Sequence, residues 1–353
     1  MKLLSKIFSR TKYLPLDSFF SKILYDDQLG YYNSKNPFGK KGDYITAPQI
    51  SNLFNEIVAI WVIAFWNQIG RPKKFNLIEL GAGDASFLQV ALDVFKKFNK
   101  FNKSVNIFIY EKNHQLKKIQ EKKLRKFKVT WLNDLRNLDQ SPCLFFGNEF
   151  FDSIPIKQFS YKNKKLLEKF VLINNKKPKT IFKKSNQKYS KLFKKLDLLK
   201  NSGIIEYPQI GLDLLSQIAK TIKKNQGGLL LIDYGYTKNY YKNTIQSIYK
   251  HKNNKIFNNL GKADITSLVN FDLLKKFLQL KKLKINNTVS QSFFLQRMGI
   301  IERANIIAKK QKFSEQGNLY YRLKRILDKK YMGELFKVLF AYNYDKEINI
   351  GFQ

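Results

Sequence analysis

The sequence predicts an α/β fold on a mostly parallel sheet, with a helical N-terminal extension, an antiparallel insertion and a helical C-terminal tail. Three observations predict it. Four short apolar runs between Phe75 and Gly147 alternate with stretches of helical spacing. The rhythm then breaks into three strand-like pieces between Ile156 and Lys184, and it resumes with a helix and a fifth buried strand at Leu229 to Asp233.

Taken in order, Phe19, Phe20, Ile23 and Leu24 recur at helical spacing, which predicts a helix over Asp17 to Tyr25 with Asp17 as its cap. The turn-rich stretch from Asp26 to Gln49 reads as one long loop, and such a loop in a folded chain is more often functional than idle. Ser51 to Ile69 is apolar nearly all round at the helical period, so a helix buried on both sides is expected. Phe75 to Leu80 predicts the first strand, closed by a glycine turn, and Phe87 to Phe98 the helix after it. A strand at Val105 to Tyr110, a helix at His114 to Arg125 and strands at Lys128 to Trp131 and Cys143 to Gly147 follow. Pieces around Gln158, Phe170 and Ile181, joined by Lys and Asn turns, predict the antiparallel insertion. Leu212 to Lys223 reads as helix, Leu283 to Leu295 as late strand material and Leu319 to Leu339 as the helical tail. The expected divisions are residues 1–70, 71–155, 156–206, 207–310 and 311–353.

Lys plus Arg is 65 against 27 Asp plus Glu, a net charge of +38 that invites a nucleic-acid reading. Only 8 of those 65 are Arg, however, and the excess is spread along the chain, so it specifies no partner. It peaks between Tyr161 and Lys200, where 14 Lys face only Glu168 and Asp197, and a solvated insertion face explains that as well as an RNA surface does. A hydrophobic content of 44% excludes a disordered chain. The lone Cys143 excludes an intramolecular disulfide, and with two histidines it leaves almost no zinc inventory, so no metal is expected. The longest apolar run, Ile57 to Trp66, is about half of the roughly 20 residues a spanning helix needs, so no membrane insertion is expected. The basic start MKLLSKIFSRTKYLPL is too short in apolar residues for a secretory leader.

The strongest local signal is NLIELGAGDASFLQVAL, Asn76 to Leu92. Gly81 and Gly83 after a strand let the backbone turn tightly and approach a ligand. A dinucleotide fingerprint would need a third glycine where Ser86 stands, and an acid about 20 residues on. An S-adenosylmethionine site fits better: Glu79 lies two before the first glycine, and Glu111 ends the second strand, where a carboxylate accepts both ribose hydroxyls. Asp134, after the third strand, falls where a polar group could reach the adenine amino group, although a loop or capping aspartate would look the same. At the end of the fourth strand, GNEFFDSIP places Asn148, Glu149 and Asp152 beyond the carboxyl edge of the sheet, where ligands bind. Two carboxylates there suit a guanidinium acceptor and can take up the proton released on methylation. A structural turn of Asn, Asp and Pro needs no such role.

These segments resemble the MidA-like S-adenosylmethionine-dependent methyltransferases, whose mitochondrial members are protein arginine methyltransferases needed for respiratory complex I assembly. The resemblance runs from Pro15 to about Ala304 through LYDDQLGYY, PFGKKGDYITAPQIS, IELGAGDAS, GNEFFDSIPIKQF, GGLLLIDYGY, TIQSIYKHK, ADITSLVNF and FLQRMGIIERA. It implies a class I methyltransferase-like (Rossmann-like) fold, with Gly42, Asp43, Thr46 and Pro48 on the active-site rim beside the donor. It also implies S-adenosyl-L-methionine as the methyl donor and an arginine of a partner protein, such as a complex I core subunit, as acceptor. The expected setting is the bacterial cytoplasm or the mitochondrial matrix, and a homodimer is left open. Departures are Ala85 for the family's third glycine, and Leu268 and Asn270 where the family usually has a histidine and an aspartate. His251 aligns with a histidine that the family tends to carry. The rival expectations are an RNA methyltransferase, which lacks a recognisable RNA-binding module, and a non-enzymatic assembly chaperone retaining the fold.

Overall fold

A computed structural model describes residues 2–34, 46–175, 177–238 and 241–353. The chain forms two compact units: Met1–Tyr44 with Phe151–Leu215 and Tyr236–Phe277, and Ile45–Phe150 with Ser216–Gly235 and Leu278–Gln353.

The second unit holds the sheet. Its strands run in the order Lys284–Ile285, Phe336–Asn343, Gly227–Tyr236, Cys143–Asn148, Phe75–Leu80, Val105–Tyr110 and Val129–Leu132. Along this order the pairings from Gly227–Tyr236 to Val129–Leu132 are parallel, and Phe336–Asn343 pairs antiparallel with both Gly227–Tyr236 and Lys284–Ile285. The strand Phe75–Leu80 is buried at all six positions, so its apolar residues show no strict alternation and Asn76 and Glu79 are buried among them. It lies between Val105–Tyr110 and Cys143–Asn148, the first and third strands to follow it in the sheet's parallel set. The chain reverses direction across the sheet there, and the carboxyl ends beside such a reversal are where sheets of this kind bind ligands. Helix Asn52–Gln68 covers the sheet, capped by the Ser51 hydroxyl. Trp61 in this helix stacks on Phe65 and meets Phe340 edge-on at 5.0 Å, so its apolar circumference is consumed on several sides, as the sequence predicts.

Two expected elements differ here. The stretch Leu283 to Leu295 contains two two-residue strands, Lys284–Ile285 and Val289–Ser290, and then becomes helix Gln291–Arg297, capped by Ser290. The helical tail is present as Phe313–Leu327, but after the short helix Met332–Leu335 the chain returns to the sheet as Phe336–Asn343. Backbone pairing along Gly227–Tyr236 sets that segment's structure over its helix-like apolar content.

The first unit contains the antiparallel insertion. Lys157–Lys162, Lys165–Asn174 and Lys177–Lys184 pair as expected, and Gly203–Tyr207 and the N-terminal Tyr13–Pro15 join them. Helix Leu16–Tyr25 packs on this sheet. Asp17 does not cap it: Pro15 holds the cap position, and Asp17 is buried against Lys157 at 3.0 Å, with Glu168 at 2.8 Å from the same ammonium. Two carboxylates around one ammonium satisfy charges that could not be buried singly. A separate three-stranded sheet joins Lys252–Asn253, Gln246–Tyr249 and Asp264–Thr266. No helix among the described residues is long and apolar enough to cross a membrane.

Candidate active site

Strand register assembles the site in the second unit. Leu80 is level with Tyr110 on one side and Gly147 on the other, so Gly81, Glu111 and Asn148 leave three adjacent strands at the same height. The Gly81 amide donates to the Tyr110 carbonyl at 3.0 Å and fixes the start of the turn. Gly81 (φ +63°), Gly83 (φ +52°) and Ala85 (φ +60°) all adopt the left-handed region. At Gly81 the lack of a Cβ matters twice, because one built there would also lie 2.7 Å from the Phe150 ring. Ala85 accepts the same backbone with a buried methyl, at a cost of about 1–2 kcal/mol.

Glu111 is fixed from two sides. Its Oε1 accepts from the Asn113 amide at 2.9 Å and its Oε2 from the Gln120 side-chain amide at 3.1 Å. Gln120, wholly buried, also donates to the Gly83 carbonyl at 2.9 Å and accepts from the Trp131 indole at 2.9 Å. This one amide therefore ties the glycine turn to the acid. Burial raises the Glu111 carboxyl above its usual value, while the Asn113, Gln120 and Lys112 hydrogen bonds pull the other way. Sequence reasoning missed Gln120, because in sequence it is one polar residue among many in helix His114–Lys123, although it shares the buried side with Leu116 four residues earlier.

Glu79 is 5% exposed, and its Oε2 has no hydrogen-bond partner among the described residues. Burial first, then repulsion from Asp84 and Glu111, pushes its carboxyl up to about 8 against a partial offset from Lys123. Burial also acts to raise Asp84, but hydrogen bonds and charge from Ser86, Lys123 and Gln49 outweigh it and hold that carboxyl low. A buried acid with an unused oxygen, beside a glycine turn and a braced second acid, fits an ammonium and a vicinal diol. The residues thus fit the expected donor, with Glu79, Gly81, Gly83 and Glu111 as the groups that would hold it.

Glu149, at a strained φ of +50°, accepts at Oε1 from the Ala47 amide at 3.1 Å and from Asn148 Nδ2 at 3.2 Å. Its own amide donates to the Ile232 carbonyl at 2.9 Å, and the next amide, Phe150, donates to Asp233 Oδ2 at 3.1 Å. Asp233, 2% exposed, thereby fixes the turn. Its place at the end of the apolar run Leu229 to Asp233 is the signal by which the sequence could have identified it. Ala47 opens the short helix Ala47–Ile50, at whose start the Thr46 amide donates to Gln49 Oε1 at 3.4 Å. Buried Asn55 ties that helix to the donor turn, donating to the Pro48 carbonyl at 2.9 Å and to the Ser86 carbonyl at 3.4 Å.

The other expected residues fall as follows. Gly42 and Asp43 lie outside the described residues. Asp134 follows strand Val129–Leu132, but its carboxylate accepts from the Arg136 amide at 2.9 Å and the Arg136 Nε at 2.8 Å, which holds it at about 2. Its geometry is that of a capping aspartate. In the first unit, Asp152 is 8% exposed and its carbonyl accepts from the Ser267 amide at 3.1 Å. Tyr32 there donates to Asp264 at 3.3 Å, and burial followed by the negative charges of Asp264 and Asp152 raises its phenol. Asn270 accepts from the Leu273 amide at 3.0 Å, the capping role an aspartate would also fill. His251 sits at φ +61° in an exposed turn. No group of three potential metal ligands occurs among the described residues.

Residues 57–289 match the family "Putative S-adenosyl-L-methionine-dependent methyltransferase". The chain is 27% identical over 331 residues to a Drosophila melanogaster protein named protein arginine methyltransferase NDUFAF7 homolog, mitochondrial, covering 84% of this chain and 74% of that one. The human protein arginine methyltransferase NDUFAF7, mitochondrial, is 26% identical over 354 residues, covering 90% and 77%. A Burkholderia thailandensis protein solved with S-adenosyl-homocysteine superposes with a TM-score of 0.81 at 19% identity, covering 100% of this chain and 92% of that one. At that identity the likeness establishes the fold. With a family match spanning the donor turn and the strands that build it, the chain belongs to this family of S-adenosyl-L-methionine-dependent methyltransferases.

Proposed function

We propose that the protein methylates an arginine side chain of a partner protein, with a respiratory complex I core subunit as the acceptor. The observation that carries the reading is Glu149, braced by the Ala47 amide and Asn148 at the level of the donor turn. The names of the curated relatives support an arginine acceptor. The resemblance of the sequence motifs supports complex I. When bound, S-adenosyl-L-methionine supplies a methyl group on a sulfonium, a leaving group that needs no metal activation.

The protein's own work is then positioning. A guanidinium stays protonated at neutral pH, so a carboxylate must orient it and receive the proton its nitrogen gives up on gaining the methyl. Glu149 takes that role, held in a strained backbone conformation by two donors and by the Asp233 anchor on its neighbour. Asp152, three residues on in the same segment, is the second carboxylate that the sequence motif offers for this role. The setting that goes with this reading is a bacterial cytoplasm or a mitochondrial matrix. The test is incubation with methyl-labelled donor and separate complex I subunits, followed by mass spectrometry. Label on arginine supports the proposal, whereas label confined to another residue type refutes it.

A further inference from the structure

Two helices of the second unit direct apolar side chains away from the core. Helix Ile300–Ala308 buries Ile300, Ala304 and Ala308, and helix Phe313–Leu327 buries Leu323 and Ile326. Their other faces expose Ile301 at 38%, Ile306 at 52%, Phe313 at 90%, Tyr320 at 42% and Tyr321 at 60%. On the second helix Phe313, Gly317 and Tyr321 follow at four-residue spacing, so they share one face, and a Cβ at Gly317 would meet nothing within 4 Å. The Tyr320 hydroxyl donates to Asn305 at 3.0 Å and joins the two outer faces into one surface. Exposed Lys309, Lys310 and Lys312 form the intervening turn, directly between Ile306 and Phe313.

Charge narrows what can cover this surface. From Arg297 to Lys330 there are ten basic residues against three acidic ones. A second copy of the chain would set that excess against itself. A nucleic-acid backbone would engage the lysines but leave Ile301, Ile306 and Phe313 without a partner. An anionic bilayer surface takes both kinds of group, lysines at the headgroups and apolar side chains at the acyl boundary. We propose that this helical hairpin docks the protein peripherally on an anionic lipid surface. Helix Phe313–Leu327 also packs on helix Ala47–Ile50, whose first amide holds Glu149. Docking therefore brings the candidate catalytic rim near the membrane. That last step rests on the proposed arginine transfer, whereas the docking itself does not.

The experiment is co-sedimentation of the full chain with vesicles of equimolar phosphatidylglycerol and phosphatidylcholine at physiological salt. Binding of S-adenosyl-homocysteine serves as the control for folding. Sedimentation is expected with these vesicles and not with phosphatidylcholine alone. Phe313→Ser with Ile306→Ser should weaken partitioning by at least about tenfold. Lys309→Gln, Lys310→Gln and Lys312→Gln together should weaken it by roughly 100-fold, about fivefold for each lysine near an anionic surface. Both variants should bind S-adenosyl-homocysteine as the wild type does. Absence of sedimentation overturns the proposal, as does binding that survives both sets of changes. Loss in the lysine variant alone means bare charge attraction and also overturns it. So does a wild-type dimer that the Phe313 and Ile306 changes dissociate, which would assign the surface to a second copy.

Discussion

Gln120→Met keeps the volume of a wholly buried side chain and removes three hydrogen bonds at once: those to the Gly83 carbonyl, the Glu111 carboxylate and the Trp131 indole. Three such bonds at about 1 kcal/mol each give a stability loss on the order of 3 kcal/mol, and a melting temperature lower by several degrees. The donor effect is separate. With Gln120 gone, Glu111 keeps its backbone anchors at Asn113 and Lys112 but loses the side-chain brace, and re-immobilising one side chain costs about 0.5–1.5 kcal/mol, so S-adenosyl-homocysteine should bind up to about tenfold more weakly. Titration calorimetry well below the lowered melting temperature measures this without interference from unfolding. Trp131→Phe, which removes only the indole donor, should lower stability while leaving affinity closer to wild type. If Gln120→Met loses stability yet binds S-adenosyl-homocysteine as tightly as wild type, Gln120 is a core residue with no part in shaping the site, and the reasoning fails.

Gly81→Ala should impair both folding and donor binding, since the new methyl meets Phe150 in a backbone region that costs about 1–2 kcal/mol; thermal melts with and without S-adenosyl-homocysteine check it. Glu79 carries a pH dependence. Its carboxyl is raised to about 8 in the folded chain from 4.5, so the folded state holds a proton that the unfolded state releases between those values. The ligand-free protein should therefore lose stability as pH rises from about 4.5 to about 8, by up to a few kcal/mol, and Glu79→Gln should flatten that slope in urea titrations. Glu149→Gln and Asp152→Asn should each lower methyl transfer by roughly 100-fold with donor affinity unchanged. Full activity in either variant removes that residue from the mechanism.

Much of the sheet was legible because its strands are short apolar runs closed by turns. Phe75–Leu80 and Val105–Tyr110 have the bounds the sequence predicts. The acids on those strands were legible for the same reason, since position at a strand end follows once the strand is known. Contacts made by long-range register were not legible. Asp233 anchors Phe150 across 83 residues, and Gln120 meets the Gly83 carbonyl across 37. Asp17 looks like a helix cap in sequence, but its partner Lys157 lies 140 residues away. Asp134 shows the local case, as its arginine stands only two residues on and bonds the carboxylate directly.

The antiparallel strand Phe336–Asn343 has a consequence for how the protein is made. Its partner Gly227–Tyr236 contributes fully buried Leu229, Leu230 and Ile232, yet emerges from the ribosome about 100 residues earlier, on the order of 5–20 s at ordinary synthesis rates. Throughout that interval the nascent sheet presents an open, apolar edge with unpaired backbone groups, the kind of template on which other chains aggregate. A chaperone that shields this edge, or slow expression at low temperature, should raise the soluble yield. A chain cut short before Phe336 should accumulate as aggregate even though its donor turn is complete.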